Sequence, residues 1–468
     1  MKEVAKYCLF FLIALVLVPG VSYSISTALI IGKGDSLKDG DTVLINVFSY
    51  SSRLSSSFAQ THKVLVVDGQ FRLPASFRTN ICHFTIMVPG PRLCFGLLEN
   101  GDSLVVDFSN NKLVFSGRGE VKNSFRAKCT EVSNQLWKGV KLLDGTKFKL
   151  YLELSDSVFY RSFKLLDQIR PQLSQLAYKV MAADLFGIIN QPYYSFKRIA
   201  IEDRPIALND LKRYKSGLNI DSMHDATMDD NFSYSGEYID GLISRFNFDS
   251  CTLKGRSFDF PQCYTYFKEK YSGLLREAIL ANLIVSNART RNDMSRFVTD
   301  ALTFFEINPD FRTIIADLDE KRRKGRNAFE FSLQDVTGRV WTMNDFKGKV
   351  VLIDYWYTGC PACPRIKPYI ERYMRLYKGK EIAFISVSCD KTKEKWLSGL
   401  SEGIYTSSEA TNLYSNGEGA KHAIFSYYGI DAFPSIILID SKSKLSRQFK
   451  MPDIDGGMDL EAALNELL

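Results

Sequence analysis

Metal ligands are scarce in this chain. Its 468 residues include four histidines, none in H-x-x-x-H spacing, and a single cysteine pair, Cys360 and Cys363, in C-x-x-C spacing. A structural zinc site takes four ligands, so this pair supplies half of one, and no metal or other cofactor is called for. Charge of one sign is also lacking. Sixty basic and 53 acidic residues leave a net charge of +7, spread thinly enough to exclude the basic footprint of a nucleic-acid binder. The densest basic run, "EKRRKGR" at Glu320–Arg326, reads as a solvated linker. Beyond the first two dozen residues no apolar run approaches the ~20 residues needed to span a bilayer.

What is present begins with "MKEVAKYCLFFLIALVLVPGVSYS". Lys2 and Lys6 precede an apolar stretch from Tyr7 to Val18, and the small residues Ser22 and Ser24 follow. That is the layout of a secretory signal peptide over residues 1–24, with an uncleaved membrane anchor as the alternative. Either reading places the rest of the chain outside the cytoplasm. Eight cysteines lie beyond the leader, in a compartment where disulfides persist. Cys82 with Cys94, and Cys251 with Cys263, are spaced as candidate bridges; buried free thiols are the favoured reading of each.

The mature chain divides by texture into three parts. Residues 25–119 carry short runs such as "DTVLINVF", "CHFTIMV" and "SLVVDF" between Gly, Asp, Asn and Pro turn signals, the pattern of a small antiparallel β-sandwich or barrel. Residues 120–324 switch to helical periodicity, with Leu275, Ala278, Ile279, Asn282 and Leu283 on one helix face and Pro309 opening a later helix. This region carries no motif tied to chemistry and suits a spacer, a dimerisation element or a partner platform. From residue 325 to 468 strands and helices alternate as β-α-β and then β-β-α, around the continuous apolar strand "KVVLIDYW" that suits a sheet covered on both faces.

Directly after that strand comes "YTGCPAC". A C-x-x-C at a strand-to-helix junction sets the first sulfur at a helix N-terminus, where free N–H groups and the helix dipole favour a thiolate. Cys360 is then an exposed, activated sulfur, and Cys363, one turn in, a buried thiol able to resolve a mixed disulfide. Pro368 falls inside the helix and is expected to kink it. Asp354 lies in the middle of "VVLIDYW". Burying a carboxylate there without purpose costs several kcal/mol, and burial raises its pKa toward neutrality, which fits it to take the Cys363 proton. The bland alternative is an Asp that bonds a neighbouring loop. Cys389 and His422 are weaker candidates, for a third redox thiol and a proton donor; a buried spectator is the favoured reading of Cys389.

"VVLIDYWYTGCPAC" with Pro368, the lead-in "FSLQDVTGRVWTMNDFKGK" and the later "YYGIDAFPSIILID" resemble the thioredoxin superfamily, and within it the exported TlpA/ResA-like thiol–disulfide oxidoreductases. The resemblance covers about residues 325–468. It implies a thioredoxin-like α/β domain in which Pro434 is the cis-proline facing the cysteines, Phe433 pairs with the substrate backbone, and Trp356 packs beneath the site. It departs from the family at Gly359, where a Trp is common, at the Pro-Ala dipeptide between the cysteines, and in lacking a lysine near the buried acid. The β-rich and helical parts resemble, more loosely, multi-domain TlpA-like proteins of Bacteroides-type bacteria.

The expected function is an exported thiol–disulfide oxidoreductase of the periplasm or cell envelope, working as a reductase. Its expected partners are disulfide-containing envelope proteins, apocytochromes or a peroxidase among them, and a separate membrane thiol-electron donor; a homo-oligomer stays open. The competing expectation is an envelope binding or scaffold protein whose β and helical parts engage a partner and whose thioredoxin-like domain is accessory.

Overall fold

The computed structural model describes residues 25–35, 37–50, 54, 59–89, 92–137, 148–195, 229–288, 291, 293–430, 432–449 and 456–468. The expected leader, residues 1–24, lies outside them. The chain forms two compact units, one of residues 25–49 and 60–128, the other of the segment 50–59 with residues 129–468.

The first unit is a sandwich of two four-stranded sheets. Its strands are β1 (Ser26–Lys33), β2 (Thr42–Phe48), β3 (Gln60–Leu65), β4 (Gln70–Phe77), β5 (Ile81–Val88), β6 (Arg92–Glu99), β7 (Ser103–Asp107) and β8 (Val114–Arg118). One sheet has the order β4-β1-β7-β8 and the other β3-β2-β5-β6. Alternate residues point inward, as a half-buried strand requires, and Ile30, Val43, Ile45, Phe84, Ile86 and Leu104 join one core. The β1–β7 pair is parallel, which the antiparallel expectation did not include. Asp68 and Gly69 both take positive φ (51° and 66°) between β3 and β4, as a two-residue hairpin of type I′ demands. Neither the Cys82–Cys94 nor the Cys251–Cys263 bridge is formed. In the paired strands β5 and β6, Cys82 stands opposite Leu98 and Cys94 opposite Ile86, so the two cysteines are out of register for a bond.

Helix α1 (Glu120–Trp137) follows. The second unit then continues through α2 (Phe148–Ile169), α3 (Gln175–Ser195), α4 (Gly236–Ser250), α5 (Phe260–Lys270), α6 (Gly273–Asn287), α7 (Met294–Leu302) and α8 (Pro309–Arg322). The α6 stripe is wider than the sequence suggests: every residue from Glu277 to Ile284 is buried. The buried Glu277 carboxylate accepts the backbone N–H groups of Glu306, Ile307 and Asn308 at 2.8–2.9 Å. That turn delivers Asn308 as the cap of α8, whose first turn holds Pro309 as expected.

The remaining residues build a seven-stranded sheet of order β10-β9-β13-β12-β11-β14-β15. In chain order its elements are β9 (Ser332–Gln334), β10 (Val340–Thr342), β11 (Val350–Trp356), α9 (Lys367–Leu376), β12 (Ile382–Ser388), α10 (Lys393–Glu402), β13 (Thr411–Tyr414), α11 (Ala423–Tyr428), β14 (Ser435–Ile439), β15 (Leu445–Phe449) and α12 (Met458–Asn465). All seven residues of β11 are buried. Val351, Ile353 and Tyr355 face Ile424, Phe425 and Tyr428 of α11, while Val350 and Leu352 face α9 and α12. The run Glu320–Arg326 is not a solvated linker. Its first residues finish α8, Gly325 and Arg326 exchange backbone hydrogen bonds with Leu445, and the Arg326 guanidinium lies 3.6 Å over the Tyr427 ring.

Candidate active site

Cys360 and Cys363 are joined by a disulfide, with their Cα atoms 5.5 Å apart. They sit where the chain leaves the C-terminal end of β11, an interior strand between β12 and β14. Two expectations need correction here. Cys360 is 2% exposed and Cys363 1%, so the first sulfur is not an open one in the oxidised protein. Both pack into a cluster with Trp356, Trp396, Tyr405 and Tyr414, and the inserted segment after β12 supplies two of those rings. Nor does Cys360 start a regular α-helix. A single 3-10 turn, Cys363–Arg365, comes first, and α9 begins only at Lys367, so Pro368 lies in its first turn. There a missing N–H is harmless, and Pro368 starts the helix instead of kinking it.

The local geometry still presents a donor to sulfur. The Cys363 N–H points at Cys360 Sγ, 3.1 Å away, and a tight turn closes behind it through Cys360 N–H to the Tyr357 carbonyl at 3.1 Å. Gly359 takes φ +92° within that turn, a conformation that side-chain-bearing residues rarely adopt. A side chain at that position would be strained in this conformation.

Asp354 is 5% exposed. Strand alternation puts it on the same face of β11 as Leu352, which packs on α9, and Trp356, which packs on the cysteines. Its neighbours in register are Ser386 on β12 and Ile436 on β14. Its Oδ1 finds no hydrogen-bond partner among the described residues. Burial without a compensating charge pushes its pKa up to about 7. The serine occupies the neighbouring-strand position opposite the acid.

The Phe433–Pro434 peptide bond is cis. The Phe433 ring meets Tyr357 edge-on at 5.6 Å and borders the cysteine cluster. Trp356 is fully buried and lies flat against Tyr405, 5.3 Å between centroids. Cys389, whose N–H bonds the Trp356 carbonyl, belongs to the core on the opposite face, and burial pushes its thiol up to about 12. His422 caps α11, accepting the Ile424 N–H on Nδ1; it is not part of the cysteine cluster.

Sequence reasoning missed Asp390, Tyr405 and Trp396. Asp390 is 3% exposed, and its carboxylate accepts from the Thr358 N–H, the Thr358 hydroxyl and the Ser388 hydroxyl. Tyr405 accepts the Gly359 N–H on its hydroxyl at 3.0 Å. The buried position of Asp390 at the end of the apolar run "IAFISVSC" was a readable signal; nothing in the sequence marks Tyr405.

A parallel-centred α/β sheet carrying a C-x-x-C at the end of an interior strand, with a cis-proline entering the strand beside it, defines the thioredoxin-like class. In agreement, residues 323–467 match the Redoxin family model. Over 132 residues the chain is 28% identical to the thiol-disulfide oxidoreductase ResA of Bacillus thuringiensis, spanning 28% of this chain and 72% of that relative. It is 26% identical over 128 residues to the ResA of Geobacillus thermodenitrificans, spanning 26% and 67%. Among solved structures, the thioredoxin domain of a thiol-disulfide oxidoreductase from Bacteroides vulgatus is 28% identical, with 30% of this chain and 97% of that one covered at a TM-score of 0.27. Residues 323–467 are thus similar to the Redoxin family and to ResA-type thiol–disulfide oxidoreductases, which supports a thiol–disulfide oxidoreductase activity for this part of the chain.

Proposed function

We propose that this protein is an exported reductase of disulfides in envelope proteins, acting through Cys360 and Cys363. In the reduced protein the Cys360 thiolate attacks one sulfur of a substrate disulfide and expels the other as a thiolate. Cys363 then gives its proton to Asp354, attacks the Cys360 sulfur and expels the second substrate thiolate. Two electrons have passed to the substrate, the Cys360–Cys363 disulfide remains, and a membrane thiol donor returns the electrons. Phe433 packs against the cysteine cluster and precedes the cis Pro434; on this reading the two would receive an extended substrate segment, with Trp356 as the floor.

The observation that carries this reading is Asp354, a buried acid held near neutrality by desolvation on the face of β11 that leads to the cysteines. Such a group accepts a proton at neutral pH and can release it again. The export step is supported by the sequence of residues 1–24; among the described residues, no helix is long and apolar enough to cross a membrane. The test is insulin reduction with dithiothreitol as electron source. The wild type should accelerate precipitation of the reduced chains and Cys360→Ser should not; equal rates would refute the reading.

A further inference from the structure

The turn that precedes Cys360 is tied down at both of its middle residues, from outside the C-x-x-C. Thr358 is held by Asp390: its N–H lies 3.2 Å from both carboxylate oxygens, and its hydroxyl lies 2.8 Å from Oδ2. Ser388 completes the arrangement, donating its hydroxyl to the same oxygen at 2.8 Å. Gly359 is held by Tyr405, whose hydroxyl accepts its N–H at 3.0 Å. The Tyr405 ring is itself fixed, stacked on Trp356 with 9° between the planes. Helix α10 closes over the turn so tightly that a Cβ on Gly399 would fall 2.2 Å from Thr358 Oγ1 and 2.9 Å from the Trp356 ring. Tyr405 and Asp390 stand 46 and 32 residues from their partners.

We infer that Tyr405 and Asp390 are positioning residues for the Cys360 nucleophile, holding its sulfur over the Cys363 N–H. This rests on the reading of Cys360 as the attacking sulfur. The donor at 3.1 Å favours a thiolate only while the sulfur stays over it, and the direction of the Cys360 side chain follows from the turn of residues 357–360. That turn contains a glycine at φ +92°, the residue type with the greatest freedom to move. Without its tethers the turn samples other geometries, and the sulfur spends part of its time away from the donor. The freely moving glycine is thus held by a tyrosine from the segment after β12, whose ring packs on Trp356 and whose hydroxyl anchors the turn.

The test uses the full-length, dithiothreitol-reduced protein and follows alkylation of Cys360 by iodoacetamide across pH, read by mass spectrometry of its peptide. Tyr405→Phe keeps the stacked ring and removes only the hydroxyl. It should alkylate about tenfold more slowly at pH 7, with the profile displaced upward by about one pH unit and the high-pH plateau unchanged, since one unit corresponds to a tenfold change in thiolate. Thr358→Val, which removes the hydroxyl donated to Asp390, should displace the profile in the same direction and serves if the tyrosine variant does not fold. A lowered melting temperature with an unmoved profile in both variants would reduce these residues to structural ones and overturn the inference. If Cys360 of the wild type is no faster than an ordinary thiol, the proposed function and this inference both fail; if only the variants match a fast wild type, the inference alone does.

Discussion

Asp354 stands in a strand with no exposed residue, and its side chain is the one ionisable group on that strand's α9 face. Its pKa of about 7 lies above the ordinary 3.8, so between those values the folded protein holds a proton that the unfolded chain has released. Stability from this group is therefore full below pH 3.8, falls as pH rises toward 7, and is gone above it. The span corresponds to at most ~4 kcal/mol at ~1.36 kcal/mol per unit. Asp354→Asn should remove the dependence: urea unfolding at pH 8 should show a variant more stable than wild type by a few kcal/mol, converging with it near pH 4. The same variant should slow insulin reduction, because the amide cannot take the Cys363 proton. An Asn variant with unchanged stability at both pH values would place the carboxylate in water, contrary to its burial. This residue was legible in the sequence because an acid inside "VVLIDYW" has no cheap explanation. The burial of Cys360 was not legible, since its cover comes from rings scattered between Trp356 and Tyr414.

At the scale of elements, the strand-turn-helix junction was readable and the inserted segment was not. Strand β11 announces itself by seven consecutive buried positions, and Pro434 by its place before an apolar strand. Strand β13 is four residues long, "TNLY", too short for period-two alternation to stand out from a loop. The seating of α10 depends on Gly399, a contact no local pattern encodes. Gly399→Ala should push α10 off the turn, lowering stability by ~1–3 kcal/mol as overpacking does. It should also raise the rate at which the oxidised protein is reduced by a small thiol such as glutathione, since the cover over Cys360 would loosen. Unchanged stability and unchanged reduction rate would mean that α10 does not bear on the disulfide. Pro368 teaches the converse: it was correctly placed near the helix, and misplaced within it because a 3-10 turn intervenes before α9.

At the scale of the whole molecule, the proposed redox chemistry rests on the one disulfide-bonded pair, Cys360 and Cys363, while the other described cysteines are free and mostly buried. Burial pushes Cys82 well above its ordinary value and Cys94 and Cys389 up to about 12, so none of the three is a thiolate at neutral pH. A thiol titration of the native reduced protein should show Cys360 reacting fast and Cys82, Cys94 and Cys389 only after denaturant is added, with the sites identified by mass spectrometry. The β-sandwich and the helical residues were legible as classes from their alternating and 3.6-residue patterns. Their detailed arrangement, including the parallel β1–β7 pair, depends on contacts between distant segments.

The direction of electron flow is the central claim, and the reduction potential of the Cys360–Cys363 couple in the full-length protein, equilibrated with glutathione buffers, tests it most directly. A reductase requires a value well below about −220 mV, whereas a value near about −120 mV would make the protein an oxidant and contradict the account.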